Sequence, residues 1–251
     1  MATSLFADLS DCYEAMIDWP KRLAHEAPFY RRLFESVAAQ HVLDAACGTG
    51  HHAALFHSWQ LRVEGADINE SMLARARRNF GEPAGLRWVR RGYTEPVGST
   101  GPLDVVLCVG NSLALVPDLQ TARTAVRNML EAVRPGGAIV LHVLNLWRLA
   151  DGPCQWQKCV RTALDQGPVI IVKGVHRHGS TGYVDLVVSS LADPHAWRSD
   201  CVPFLGLEAA ALEQWACEAG VGTIDLYGGY HAEPYRRETS ADLIVVARKT
   251  H

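Results

Sequence analysis

The segment Asp44-Ala45-Ala46-Cys47-Gly48-Thr49-Gly50 holds the residue types that most narrowly constrain chemistry. It follows an apolar entry at Val42-Leu43 and offers an acid, then only small residues, so the backbone can turn sharply and approach a ligand closely. Gly-x-Gly alone is a weak signal, and Ala53 stands where a dinucleotide-binding Gly-x-Gly-x-x-Gly has its third glycine. Asp67 strengthens it, because an acid ending the next extended run can accept hydrogen bonds from both hydroxyls of a ribose. Loop and acid together specify a nucleoside-containing ligand. Asn111, in Gly110-Asn111-Ser112, ends a later apolar run and offers both a donor and an acceptor. His142 and Asn145 close the next run, and Asn111 and His142 are the catalytic candidates.

These residues require a scaffold that brings strand ends together. Residues 5–38 read as two helices, with Leu23, Phe29, Leu33, Phe34 and Val37 at imperfect helical spacing around Pro28, and suggest a lid. From residue 41 onward, strand, glycine loop and helix alternate: a helix over 51–60, a strand over 61–66, a helix over 70–80, and strands over 86–90 and 103–109. A helix over 118–133 stops at Arg134-Pro135-Gly136-Gly137 before a strand over 138–144. That alternation predicts a parallel sheet. Residues 155–200 behave differently, since 169–175 and 183–191 are β-rich and flank Gly179-Ser180-Thr181-Gly182, a turn signal for an antiparallel hairpin. The tail gives a helix over 207–218 and strands over 221–227 and 242–247 with no helix between them, which implies an antiparallel last strand.

The chain resembles the class I S-adenosylmethionine-dependent methyltransferases, whose signature joins a strand, an acid, a loop of the form Asp-x-x-Cys-Gly-Thr-Gly and a ribose-binding acid after strand two. The resemblance spans roughly residues 10–248. It implies an α/β fold with a Rossmann-like, seven-stranded, mainly parallel sheet and an antiparallel last strand. One methyltransferase domain is expected over 1–251: a helical lid (1–40), a cofactor-binding core (41–150), an antiparallel β insertion after strand five (151–204) and the C-terminal part of the core (205–251). By the same resemblance S-adenosylmethionine is the cofactor. Asp44, the backbone of Ala46 and Gly48, and the loop at Gly50 would face its methionine part, Asp67 its ribose, and Ile68 and Met72 its adenine. Family members usually carry an acid just after strand three. Here Gly92 stands there, so adenine would be read by backbone groups or by Tyr93.

Cys108-Val109-Gly110-Asn111-Ser112-Leu113 resembles the Gly-Asn-Ser segment of the glycine N-methyltransferase-like branch, which lies between cofactor and acceptor; Val109 would face the former and Asn111 the latter. The segment Tyr13-Glu14-Ala15-Met16-Ile17-Asp18-Trp19-Pro20-Lys21-Arg22 resembles that branch's lid. Tyr13 and Trp19 would close over the sulfonium, and Arg22 would pair with the methionine carboxylate. The resemblance favours a small amine as acceptor, amino acids included. Asn111, Asn145 and Arg177 are the substrate-binding candidates, with Arg161 a further carboxylate contact and His176 and His178 beside Arg177 on the hairpin. O- or S-methylation, a non-catalytic S-adenosylmethionine-binding subunit and a nicotinamide-dependent dehydrogenase are the alternatives, the last disfavoured by the missing third glycine.

With 251 residues, 48% of them hydrophobic, the chain can bury one full core, whereas two independent domains would be cramped. A net charge of −3 lacks the basic excess that a phosphate backbone or anionic membrane selects, so neither nucleic acid nor membrane is an expected partner. A homo-oligomer is left open. No run approaches the roughly 20 apolar residues of a membrane helix, and no basic-then-apolar leader opens the sequence, so a cytoplasmic location is expected. The seven cysteines (12, 47, 108, 154, 159, 201 and 217) are odd in number and never spaced Cys-x-x-Cys, which points to neither a disulfide framework nor a zinc site. Among the eleven histidines, His51-His52 and His176-Arg177-His178 invite a metal, but no nearby third ligand is evident in the sequence and no metal is expected.

Overall fold

A computed structural model describes residues 10–97, 101–164, 167–193 and 195–250. Strand β1 (His41–Asp44) pairs in parallel with β2 (Arg62–Asp67) on one side and with β4 (Leu103–Cys108) on the other, and β3 (Leu86–Arg90) lies outside β2. Next to β4 come β5 (Val133–Leu144), β11 (Asp242–Lys249) and β10 (Val221–Tyr227), completing a seven-stranded sheet in the order β10-β11-β5-β4-β1-β2-β3. β11 is antiparallel to both its neighbours, as the missing crossover helix requires. All six residues of β4 are buried, the mark of a central strand covered on both faces. The strand order reverses between β1 and β4, so a crevice opens at their carboxyl ends.

Helix α3 (His51–Ser58) starts on the glycine loop, α4 (Glu70–Phe80) is capped by Asn69 Oδ1 accepting from Ser71 N, and α5 (Leu119–Ala132) is capped by Asp118 accepting from Thr121 N. α6 is Ala209–Glu218. The lid comprises α1 (Ser10–Met16) and α2 (Trp19–Ser36); the expected start of the first helix, residues 5–9, lies outside the described residues. α2 runs through Pro28 without ending, because Phe29, Tyr30, Leu33 and Phe34 bury one helical face against Phe56 and its neighbours. No helix among the described residues is long and apolar enough to cross a membrane.

The insertion is larger than the expected hairpin. It is a four-stranded antiparallel sheet of β6 (Gln155–Leu164), β7 (Gly167–His178), β8 (Thr181–Ser190) and β9 (Trp197–Leu205). The β7–β8 hairpin turns at Gly179-Ser180, with Gly179 at φ +60°. β6 and β9 escaped the sequence reading because they are edge strands with mostly exposed, mixed-charge residues, so alternation carries no hydrophobic signal. β5 also begins earlier than expected. Val133 pairs with Leu103 before a bulge, and Arg134 Nε donates to Asp104 Oδ1 at 2.5 Å, so the Pro-Gly-Gly segment is an irregularity within the strand. α1 rests on the second sheet through Cys12 and Met16 against Val169, Ile171, Leu186 and Val188, which encloses a space between the two sheets.

Candidate functional site

Asp44 ends β1 with 1% exposure, and its two carboxylate oxygens accept no hydrogen bond among the described residues. Burial pushes its carboxyl up to about 7; the Ala46 backbone N–H, near but outside normal hydrogen-bond geometry, opposes the rise and the neighbouring Asp67 adds to it. A desolvated acid without a partner is a site for a cation. Asp67 is better satisfied. Its Oδ2 accepts from Gly48 N and its Oδ1 from Asn69 N, both at 2.9 Å, so it ties the glycine loop to the end of β2. Burial raises its carboxyl while those amides oppose the rise, and its remaining lone pairs can take hydroxyl donors.

Gly48 sits at φ +52° with open space where a Cβ would project, so the loop presents bare backbone to the crevice. Gly50, at φ +90°, is a packing residue: a Cβ would stand 2.6 Å from the Trp88 ring and 2.9 Å from Ala76. Ile68 is 67% exposed and its Cδ1 lies 3.3 Å from where a Gly92 Cβ would be, forming an apolar rim. Met72, by contrast, is 3% exposed and offers little surface to a ligand. Tyr93 turns its hydroxyl to Cys108 Sγ at 3.3 Å, and Val109 is buried. Gly92 N donates to Glu95 Oε1 at 2.8 Å, so an acid does reach the end of strand three, from a later position than the family pattern has it.

Glu14 docks the lid on the loop. It accepts from Trp19 Nε1 at 2.6 Å and Thr49 Oγ1 at 3.2 Å, and pairs with His51 Nε2 at 2.7 Å. Burial would raise its carboxyl, but His51, Trp19 and Thr49 together hold it below the ordinary range. Trp19 stacks on His51 with centroids 4.0 Å apart, so that face of its indole is covered. Deeper in, Glu26 accepts from Arg22 Nε and faces His52 Nε2, each at 2.7 Å. Burial opposes ionisation of Glu26, yet His52 and Arg22 bring its carboxyl down to about 2; burial keeps His52 neutral-leaning despite that partner. A buried relay continues from Tyr30 to Tyr230 (3.1 Å), to His142 Nδ1 (3.0 Å), which also accepts from Gly110 N (3.2 Å). The lid helix and the loop after β4 are thereby coupled through side chains.

A cavity of about 440 Å3 lies between the lid, the loop after β4 and the second sheet. Tyr13, Arg22, Asn111, Lys158, Lys173 and Leu186 are among its walls. Asn111, at φ +72°, spends its Oδ1 on Leu144 N at 2.9 Å and keeps its amide nitrogen for the cavity. Lys158 Nζ donates to Met16 O at 2.7 Å, whereas Lys173 makes no hydrogen bond or ion pair among the described residues. Burial lowers the pKa of both ammoniums, and the mutual proximity of Arg22, Lys158 and Lys173 lowers them further.

Residues 42–137 match a family model described as a methyltransferase domain. A glycine/sarcosine N-methyltransferase of Parasynechococcus marenigrum (strain WH8102) is 31% identical over 153 residues, 58% of this chain and 52% of that protein. Over residues 42–137 the chain is thus similar to methyltransferase domains. It spans about half the length of the curated relatives it matches. Two solved structures share the fold along nearly the whole chain: the CcbJ methyltransferase from Streptomyces caelestis (TM-score 0.78, 21% identity, 99% of both chains) and CalS10, an amino pentose methyltransferase from Micromonospora echinaspora solved with S-adenosylmethionine (TM-score 0.74, 21% identity, 99% of both chains).

The residues at the crevice fit S-adenosylmethionine. Orphaned Asp44 suits its ammonium, the bare backbone at Gly48 leaves it room, and Asp67 and Ile68 can meet ribose and adenine. Tyr13 and Arg22 line the adjoining cavity, whereas Trp19 is committed to Glu14 and His51. Three expected site residues do other work. His142 lies outside the cavity lining: its Nδ1 accepts two donors, which leaves the proton on Nε2, 3.3 Å from Asp242. Asn145, 1% exposed, is saturated by the carbonyls of Arg237 and Ser240, Trp147 N and the Tyr235 hydroxyl. Arg177 braces the hairpin base, donating to the carbonyls of Leu149 and Gly179. Arg161 is on edge strand β6, His176 pairs with Asp185, and the His178 side chain is 86% exposed. The cavity's cations are instead Lys21, Arg22, Lys158 and Lys173, with Asp18 a carboxylate in the same lining. Lys158 and Lys173 sit in strands whose pairing the sequence leaves unspecified; Glu26 was legible only as an i,i+4 partner of Arg22, which reads as an exposed pair.

Proposed function

We propose that this chain transfers a methyl group from S-adenosylmethionine to the amine nitrogen of a small molecule that also bears an anionic group. The observation that carries the anionic part is the convergence of Arg22, Lys158 and unpaired Lys173 on one half-buried cavity. Like charges held together in a desolvated space favour an anion among them. They also favour the neutral form of an amine bound nearby, which is the nucleophilic form, so no dedicated base is required. The cofactor supplies an electrophilic methyl group on a sulfonium. This chain's residues bind and orient: Asp44 meets the cofactor's ammonium, Asp67 its ribose, and the Asn111 amide nitrogen faces the acceptor. The lid, anchored by Glu14 and Glu26, excludes water. The names of the relatives, an amino acid N-methyltransferase and an amino pentose methyltransferase, support an amine acceptor.

Methyl-labelled S-adenosylmethionine offered with matched small amines, each pair differing only in a carboxylate, tests the reading. Transfer should favour the carboxylate member, and Lys173→Met should raise its KM about tenfold or more with cofactor affinity unchanged. No transfer to any amine while O- or S-acceptors are methylated rejects the amine. Equal use of charged and neutral amines rejects the anionic group.

A further inference from the structure

The second sheet has two chemically different faces. Lys173, Val184 and Val202 line the acceptor cavity, while His176, Asp185 and Cys201, one residue out of phase on β8 and β9, line a separate cavity with Cys154. One ligand atom from each of Cys154, His176 and Asp185 lies within 4.8 Å of the others. Cys154 Sγ is 3.6 Å and His176 Nδ1 2.6 Å from Asp185 Oδ2, and Cys201, paired with Asp185 across β8 and β9, lines the same cavity. We propose that Cys154, His176, Asp185 and Cys201 bind a zinc ion on this face.

The donor set decides the metal. Two thiolates, an imidazole and a carboxylate suit a tetrahedral zinc site, whereas magnesium or calcium would call for oxygen donors throughout. The strands are built to make room for it. Asp185 faces Gly174 on β7 and Cys201 on β9, and a Cβ at Gly174 would stand 2.5 Å from Cys154 Sγ, so any side chain there would displace the sulfur. Tyr183 stacks on His176 at 4.8 Å between centroids and 9° between planes, which fixes the imidazole with Nδ1 toward the cluster. The four ligands come from the residue just before β6 and from β7, β8 and β9, so one ion would tie together all four parts of a sheet whose outer strands are exposed. That stiffens the wall carrying Lys158 and Lys173. The sequence conceals the site because the ligands are spread from 154 to 201, and only register brings them together.

The experiment measures zinc in protein expressed with zinc, purified under reducing conditions and gel-filtered, and titrates cobalt(II) into the metal-free chain. About one zinc per chain is expected, with thiolate-to-cobalt charge-transfer absorption and the intense visible bands of tetrahedral coordination. Cys154→Ala and Cys201→Ala, confirmed folded by circular dichroism, should lose the charge-transfer intensity in steps and retain almost no zinc. Cys159→Ala and Cys217→Ala should keep both. A chelator should lower the Tm of the unaltered chain and leave that of Cys154→Ala unchanged. Substoichiometric zinc with cobalt spectra lacking thiolate bands overturns the proposal, as does a Cys154–Cys201 disulfide found by mass mapping of the reduced preparation.

Discussion

Replacing Asp44 by asparagine separates what this acid does to the fold from what it does for the cofactor. Its carboxyl rises from an ordinary 3.8 to about 7 because it is buried without a partner. A raised value means the folded chain prefers the protonated acid, so its cost is absent below the ordinary value, grows as pH rises, and is complete above about 7. At about 1.4 kcal/mol per unit, ionised Asp44 costs about 4 kcal/mol at pH 8 but only about 2 kcal/mol at pH 5. The Asp44→Asn side chain would carry no such charge, so the variant's stability relative to the unaltered chain should improve by about 2 to 3 kcal/mol between those two pH values. Urea unfolding at each pH, without cofactor, measures that difference. The same variant should bind S-adenosylhomocysteine about 30-fold more weakly at pH 8, the loss of a charge-assisted hydrogen bond worth about 2 kcal/mol. Parallel stability curves for the two proteins would refute the orphan-charge reasoning. Full affinity in the variant would refute the pairing with the ammonium.

Gly48→Val should abolish thermal stabilisation by S-adenosylhomocysteine, because the side chain would enter the open space over the loop and strain a backbone at φ +52°; retained stabilisation of folded variant would make the glycine a turn residue only. Asp67→Ala should weaken cofactor binding by about 2 kcal/mol and also lower Tm, since Gly48 N and Asn69 N lose their acceptor; calorimetric titration and a melt separate the two, and unchanged affinity removes the ribose role. Glu26, depressed from 4.5 to about 2, stabilises the lid above pH 4.5 and loses that contribution as pH falls toward 2, about 3 kcal/mol in all; Glu26→Gln should therefore flatten the acid limb of stability, and an unaltered limb would count against the buried network.

How much of this was legible depends on whether the information is local. The glycine loop, Asp67 and the βα alternation can be read from neighbours in sequence, because a tight turn against a ligand demands small residues and a parallel sheet demands crossover helices. The absence of a helix between the last two strands likewise fixed the antiparallel β11. Side-chain direction was not local. His142 and Asn145 both stand at the end of β5, yet one supports the Gly110 loop and the other is consumed by the carbonyls of Arg237 and Ser240, partners brought in by the C-terminal segment.

The sequence by itself determined the nucleotide half of the site: a strand, an acid, bare backbone and a second acid, in an order that serves one ligand class. Only the tertiary structure decided the proposed acceptor half. Lys158 and Lys173 reach the cavity because β6 and β7 pair in a register that puts them on one face, and Arg22 joins them because α2 packs across the mouth of the first sheet. Shifting a strand by one residue sends every side chain to the opposite face, so the choice between a cationic cavity wall and the cluster of Cys154, His176, Asp185 and Cys201 is made by pairing between distant segments, which no local pattern encodes.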